Sequence, residues 1–174
     1  MIVAQFKDIP VSLFLAVSIV VIFALYVTAI LKTIPCGKNL ISAFCNNFVH
    51  IDYFHVFANL ITLYTLARVE RDIGAKRFSL LIIFLLTFTS IIEVIIHKIF
   101  PSMPCSIGFS GILFGIVAWE LTSKRGFDLL ILISIFGVAV MPTIQNPKRA
   151  SLIGHLVGAG TGIVGGLLWT SISS

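Results

Sequence analysis

Six apolar runs separated by short polar segments organise this chain: Val11 to Leu31, Tyr53 to Ala67, Phe78 to Phe100, Ile107 to Ser123, Phe127 to Met141 and Ser151 to Ile172. The first has about the 20 residues that a helix needs to span a bilayer. It is too long for a signal peptide and lacks a small-residue cleavage site, so it reads as a retained first helix. No run alternates apolar and polar residues as a barrel strand does, which leaves helices as the spanning elements. The second, fourth and fifth runs are short, and the second and fourth open on polar residues. That pattern predicts a bundle in which part of the backbone lines a watery cavity.

Composition agrees with the pattern. Hydrophobic residues make up 58% of the 174 positions, charged residues 11%, and the mean hydropathy is +1.10. A soluble domain carries about 25% charged residues, so lipid must cover much of this surface. The expected fold class is an all-α membrane protein, a six-helix bundle forming one domain over residues 1–174. With six spans, one side of the membrane receives Lys7, Arg68, Arg71, Lys76, Arg77, Lys124 and Arg125. The other receives Lys32, Lys38, Lys98, Lys148 and Arg149. The excess predicts that both termini face the cytosol. The net charge of +5 is thus a topology signal. No aromatic-interleaved basic stretch points to nucleic acid. Cys36, Cys45 and Cys105 fall in the opposite loops. A Cys36–Cys45 bridge would need an oxidising compartment; the odd count and the absence of metal-ligand spacing favour free thiols.

Polar residues gather where apolar ones are expected. His50, His55 and Asn59 stand at the start of the second span, Ser110 near the start of the fourth, and His155 early in the sixth. At about 1.5 Å per residue, all five fall within roughly 10 Å of one membrane face. His55 and Asn59 are four apart and share a helix face, as do Ser110 and Phe114. Gly154, Gly158, Gly162 and Gly166 form a stripe of period four, and Gly111 and Gly115 a shorter one. Such stripes let membrane helices approach closely, which would bring Ser110 to His155. A serine hydroxyl is a weak nucleophile that needs an adjacent base, and a histidine supplies one. Each feature alone has an ordinary reading: a membrane Ser bonds back to its own helix, a lone His packs, and small-residue stripes only pack helices. Their convergence in one layer favours a site. Glu93 and His97 read as a structural pair near the interface. Glu120 reads as an interfacial residue, and Arg68, Glu70, Arg71 and Asp72 as a solvated cluster.

Four motifs in order resemble the rhomboid intramembrane serine proteases over roughly Leu40 to Trp169. His50 to Asn59 is similar to the family's His-x4-His-x3-Asn, and Glu70 to Gly74 to its Glu-x3-Gly. Gly108-Phe109-Ser110-Gly111 is similar to its Gly-x-Ser-Gly, and His155 to Gly158 to its His-x2-Gly. The resemblance implies Ser110 as nucleophile, His155 as general base without an acidic third member, and an oxyanion hole from the Ser110 N–H, His55 and Asn59. It further implies that His50 braces the first loop and that Glu70 ties the second span to the loop after it. Gly108, Gly111, Phe114 and Gly158 would support the site. Phe114 stands where the family often has Tyr, and the family's Trp-Arg pair is not recognisable around Cys36 to Ser42. The wording of the motifs resembles the eukaryotic endomembrane branch, which implies an ER or Golgi location rather than a bacterial inner membrane.

The implied function is cleavage of single-span membrane proteins within or beside the bilayer, with no cofactor and no metal. The competing reading is an inactive rhomboid-like protein that binds membrane clients for quality control; retention of both Ser and His argues against it. A transporter would show internal symmetry or paired broken helices. A zinc protease would need a His-Glu-x2-His motif, and an aspartyl protease two intramembrane aspartates; neither is present. Oligomeric state, substrate and pathway are not encoded in any pattern found. The topology is testable: thiol labelling of Ser174→Cys and Lys38→Cys should place them on opposite sides of the membrane. Labelling from the same side would overturn the six-span arrangement.

Overall fold

The structure, a computed structural model, describes residues 6–31, 39–123 and 152–173. Every regular element among those residues is a helix, in the order α1 (Pro10–Val27, after a 3-10 turn at Phe6–Asp8), α2 (Leu40–Asn46), α3 (Tyr53–Ile73), α4 (Ala75–Ile99), α5 (Ser110–Thr122) and α6 (Leu152–Ser173). Helices α1, α4 and α6 are long and apolar enough to cross a membrane. The first, third, fourth and sixth expected spans correspond to α1, α4, α5 and α6. The fifth, Phe127 to Met141, lies outside the described residues.

Helix α5 sits at the centre. Ile112, Leu113, Ile116 and Trp119 are fully or almost fully buried, and α3, α4 and α6 pack around them. With 13 residues, α5 spans only about 20 Å. Its length suits a helix surrounded by protein rather than one bathed in lipid. The outer helices carry the lipid-type surface: Phe14, Val17 and Val21 on α1, Leu80 and Ile83 on α4, and Leu156 and Leu167 on α6 are all exposed.

The α5–α6 interface is the most extensive in the molecule. Its closeness depends on side chains that are missing. A Cβ at Gly158 would collide with the Gly111 carbonyl, and one at Gly162 with the Gly115 carbonyl. The two expected glycine stripes therefore face each other and set the helix separation. Where the stripes end, Trp119 meets Trp169 edge-to-face at 5.4 Å.

Several expectations need correction. The second span does not stop at Ala67 but continues as α3 to Ile73. The reason lies in the charges that resembled a loop. Glu70 is completely buried and accepts hydrogen bonds from the Val11 N–H (2.8 Å), the Ser12 N–H (2.8 Å) and the Ser12 hydroxyl (2.6 Å). Helix α1 has no side-chain cap of its own, and Pro10 has no N–H to satisfy. Glu70 caps it from another helix, with the favourable sign for a helix N-terminus. Glu70 thus ties α3 to the start of α1, not to the loop after α3. Arg68 likewise bonds Glu120 of α5 at 3.1 Å, with Glu120 nearly buried rather than interfacial. Hydrogen bonds to charged groups are worth about 1.5–3 kcal/mol each, so these residues staple helices together.

Helix α2 was not anticipated either. Its signal was present: Asn39 and Ser42 form a reciprocal capping box at its start. Of the cysteines expected to be free, Cys45 is free but Cys105 is disulfide-bonded. A Cys36–Cys45 bridge is therefore not formed.

The glycine contacts generate a stability test. Gly158→Ala should destabilise the protein by about 1–3 kcal/mol, since a methyl group has no room against the Gly111 carbonyl. Gly160 has open space around it, so Gly160→Ala is the control and should be near neutral. Unfolding in mixed detergent micelles reads both; equal behaviour of the two variants would contradict the stripe packing.

Candidate active site

Ser110 is the first residue of α5, and His155 lies one turn into α6. The stripe packing presses these two helix starts together, with Gly111 against the Gly154 carbonyl. As a result the Ser110 hydroxyl and His155 Nε2 are 2.9 Å apart. Both are buried, at 6% and 8% exposure. The ring of Phe114, one turn below Ser110, stacks on the His155 imidazole at 4.6 Å and 29°. Packing therefore holds the ring plane that a carboxylate partner would hold elsewhere.

The loop before Ser110 is fixed from three directions. Gly108 has φ +104°, a conformation that favours glycine, and a Cβ there would strike the His55 ring. The Gly108 N–H donates to the Asn46 carbonyl at 3.0 Å. His50 Nδ1–H donates to the Phe48 carbonyl at 3.1 Å while Nε2 accepts the Phe109 N–H at 3.4 Å. Glu93 of α4 accepts the Ser106 N–H at 3.0 Å. His50 thus braces the segment carrying Ser110 as well as its own loop, and it stacks edge-on with His55 at 4.8 Å.

His55 and Asn59 lie on one face of α3. The half-buried His55 ring touches Gly108, and buried Asn59 donates from Nδ2 to the His55 carbonyl at 2.7 Å. Asn59 Oδ1 has no hydrogen-bond partner among the described residues. The Ser110 N–H belongs to the first turn of α5, whose N–H groups have no intrahelical acceptor and carry the positive end of the helix dipole. A cavity opens beside the pair, lined by Asn47, Glu93, His97 and Ser106 together with Ser110 and His155. It is small, about 30 Å³.

A hydroxyl and an imidazole at this distance, at a helix N-terminus and next to a polar cavity, form a nucleophile–base arrangement. The Rhomboid domain family matches residues 37–171, most of the chain and all of this site. The chain belongs to the rhomboid family. Its similarity to a protein of Acanthamoeba polyphaga mimivirus, named "Putative rhomboid protein", is 28% identity over 132 residues, covering 74% of each chain. No solved structure matches it. Family membership and the apolar helices together suggest an integral membrane protein.

The structure sets Ser110 against His155, Phe114 on His155, Gly158 against Gly111, and His55 and His50 against Gly108; Asn59 lies one turn from His55 on α3 and bonds its carbonyl. Glu93 and His97, expected as a structural pair, both line the cavity, and Glu93 also anchors Ser106.

His50 generates a pH prediction. Its burial, with the neighbouring His55 adding to the effect, lowers its pKa from 6.5 to about 4. The unfolded chain takes up a proton below pH 6.5, while the folded protein resists until about pH 4. The contribution of neutral His50 is therefore complete above pH 6.5 and lost as the pH falls toward 4, at most on the order of 3 kcal/mol. Detergent unfolding measured from pH 7 to 4 should show this slope, and His50→Gln should flatten it. An unchanged slope in the variant would assign the loss to other groups.

Proposed function

We propose that this rhomboid-family protein is an intramembrane serine endopeptidase that cleaves single-span membrane proteins with a Ser110–His155 dyad. The reading rests on one observation above all, the buried 2.9 Å contact between the Ser110 hydroxyl and His155 Nε2. In the reaction, His155 carries its proton on Nδ1, leaving Nε2 free to accept. Nε2 takes the Ser110 proton as Oγ attacks the scissile carbonyl carbon, and the carbonyl oxygen becomes negative. The Ser110 N–H, His55 and Asn59 supply donors toward that oxygen; each such donor typically contributes about 3–4 kcal/mol. Collapse of the tetrahedral intermediate breaks the C–N bond, and His155 returns the proton to the leaving amine. Water from the adjoining cavity then attacks the acyl-enzyme, with His155 again taking a proton, and Ser110 is released with its hydroxyl restored. The stack with Phe114 supports a dyad that lacks an acidic member, because it limits rotation of the imidazole.

The test is cleavage of a transmembrane substrate by the purified protein, together with labelling by a serine-directed fluorophosphonate. Ser110→Ala and His155→Ala should each abolish cleavage, and labelling should vanish in Ser110→Ala. Asn59→Ala should retain activity lowered by about a hundred- to a thousandfold, the usual effect of losing one oxyanion donor. Substrate binding without cleavage by the wild-type protein would instead identify a client-binding rhomboid relative. Full activity in Ser110→Ala would end the serine-protease reading.

A further inference from the structure

Helix α1 packs mainly on α3 and stands off from α4, leaving an apolar groove of about 810 Å³ between them. Residues of α1 from Pro10 to Leu25 line it over a length of about 22 Å. Ser79 and Ile83 of α4 wall the end at which both helices begin, and Phe48, just after α2, closes the other. One leaflet contributes about 15 Å of hydrocarbon, half of a core of about 30 Å, so the groove can take an acyl chain at full depth. Its volume is within the range of about 300–1,000 Å³ usual for ligand sites.

The mouth of the groove is basic. Lys7 lies one turn before Pro10, and Lys76 lies three residues before Ser79 on the same face of α4. Both are exposed, and neither has an ion-pair partner among the described residues. Exposed Asp8 and Asp72 at this end are offset by Arg71 and by Arg77, whose guanidinium lies over the Trp169 ring at 5.8 Å. Buried Glu70 is engaged by the first N–H groups of α1. The two lysines are the surplus. Both α1 and α4 start here, so the positive poles of their dipoles add to the same sign. A hydrocarbon slot under a pair of cations matches an acyl chain below a phosphate. A second copy of this chain fits less well, because a symmetric contact would bring two basic mouths together at one membrane face.

We propose that this groove binds one anionic glycerophospholipid, with an acyl chain between α1 and α4 and the phosphate between Lys7 and Lys76. Lysines at a membrane surface lay their stems on apolar surface and extend their charged heads into the headgroup layer. The groove shares no lining residue with the cavity at Ser110, so the site stands independently of the protease reading.

The experiment places the full chain in neutral detergent micelles holding equal amounts of phosphatidylglycerol and phosphatidylcholine, and native mass spectrometry counts the lipid retained. The wild-type protein should keep one phosphatidylglycerol, preferred roughly 25-fold over phosphatidylcholine, at about fivefold per lysine. Lys7→Gln combined with Lys76→Gln should bring that preference close to one. Ser18→Phe sets a ring inside the groove and should remove the retained lipid, whereas Val20→Phe, on the α1 face beside α3, should not. Should Ser18→Phe fold poorly, Ser18→Leu fills the same position with less bulk and should show part of the loss. Equal retention of the two lipids by the wild-type protein overturns the proposal. Undiminished phosphatidylglycerol in folded Ser18→Phe also overturns it, since the lysines would then attract lipid without the groove. A lipid-free wild-type dimer that Ser18→Phe dissociates would assign the groove to a second copy instead, and the proposal would fall.

Discussion

The contact of two glycine-lined backbones is the constraint on which the rest of this protein depends. Lipid offers helices little hydrophobic reason to associate, so close packing must supply the attraction. Gly158 and Gly162 leave space that the carbonyls of Gly111 and Gly115 occupy. That approach determines the axis of α6 relative to α5. Ser110 and His155 are each within one turn of the first of these contacts, so their 2.9 Å separation follows from backbone packing. The Ser110–His155 pair is oriented by the Phe114 stack and by the backbone contact of its two helices. Its geometry must come from the scaffold, and here the scaffold contact is immediately adjacent.

Polar groups inside the bundle act as fasteners at both ends of it. Glu70 substitutes for a missing cap on α1, Arg68 joins α3 to Glu120 on α5, and Glu93 joins α4 to the loop before Ser110. Each links elements distant in sequence, and each replaces hydration that the interior withholds. Burial makes such groups costly when unpaired, so a pairing partner is effectively obligatory. His50 follows the same logic in neutral form. One ring nitrogen donates and the other accepts, and a second proton would put two donors face to face at Phe109. The loop leading to Ser110 is thereby fixed without a net charge.

How much was legible in the sequence depended on whether a signal was local. The facing glycine stripes and the place of Phe114 one turn below Ser110 follow from helical spacing, which operates over one or two turns. The end of α3 was misread because Arg68, Glu70, Arg71 and Asp72 look like a loop to any local window. Arg71 and Asp72 are indeed exposed, but Glu70 and Arg68 have their partners at Val11, Ser12 and Glu120, roughly fifty to sixty residues away. Hydropathy cannot register such pairing. Helix α2 escaped for a different reason. It is seven residues long, shorter than any span, and its Asn39–Ser42 capping box was the sole strong cue. The disulfide at Cys105 depended on loop geometry, which spacing alone does not encode.

Antiparallel helices give the site its electrical asymmetry. Helix α4 ends at the face where α5 begins, so a negative helix terminus and a positive one lie side by side. The acyl transfer proposed for Ser110 develops negative charge on a carbonyl oxygen, which belongs near the N-terminus of α5. The C-terminus of α4 carries the opposite sign, and Glu93 near that end is engaged by the Ser106 N–H. The chain direction that brings the two helix ends together therefore sets Ser110 at the positive one, where a developing anion is favoured and weakly screened.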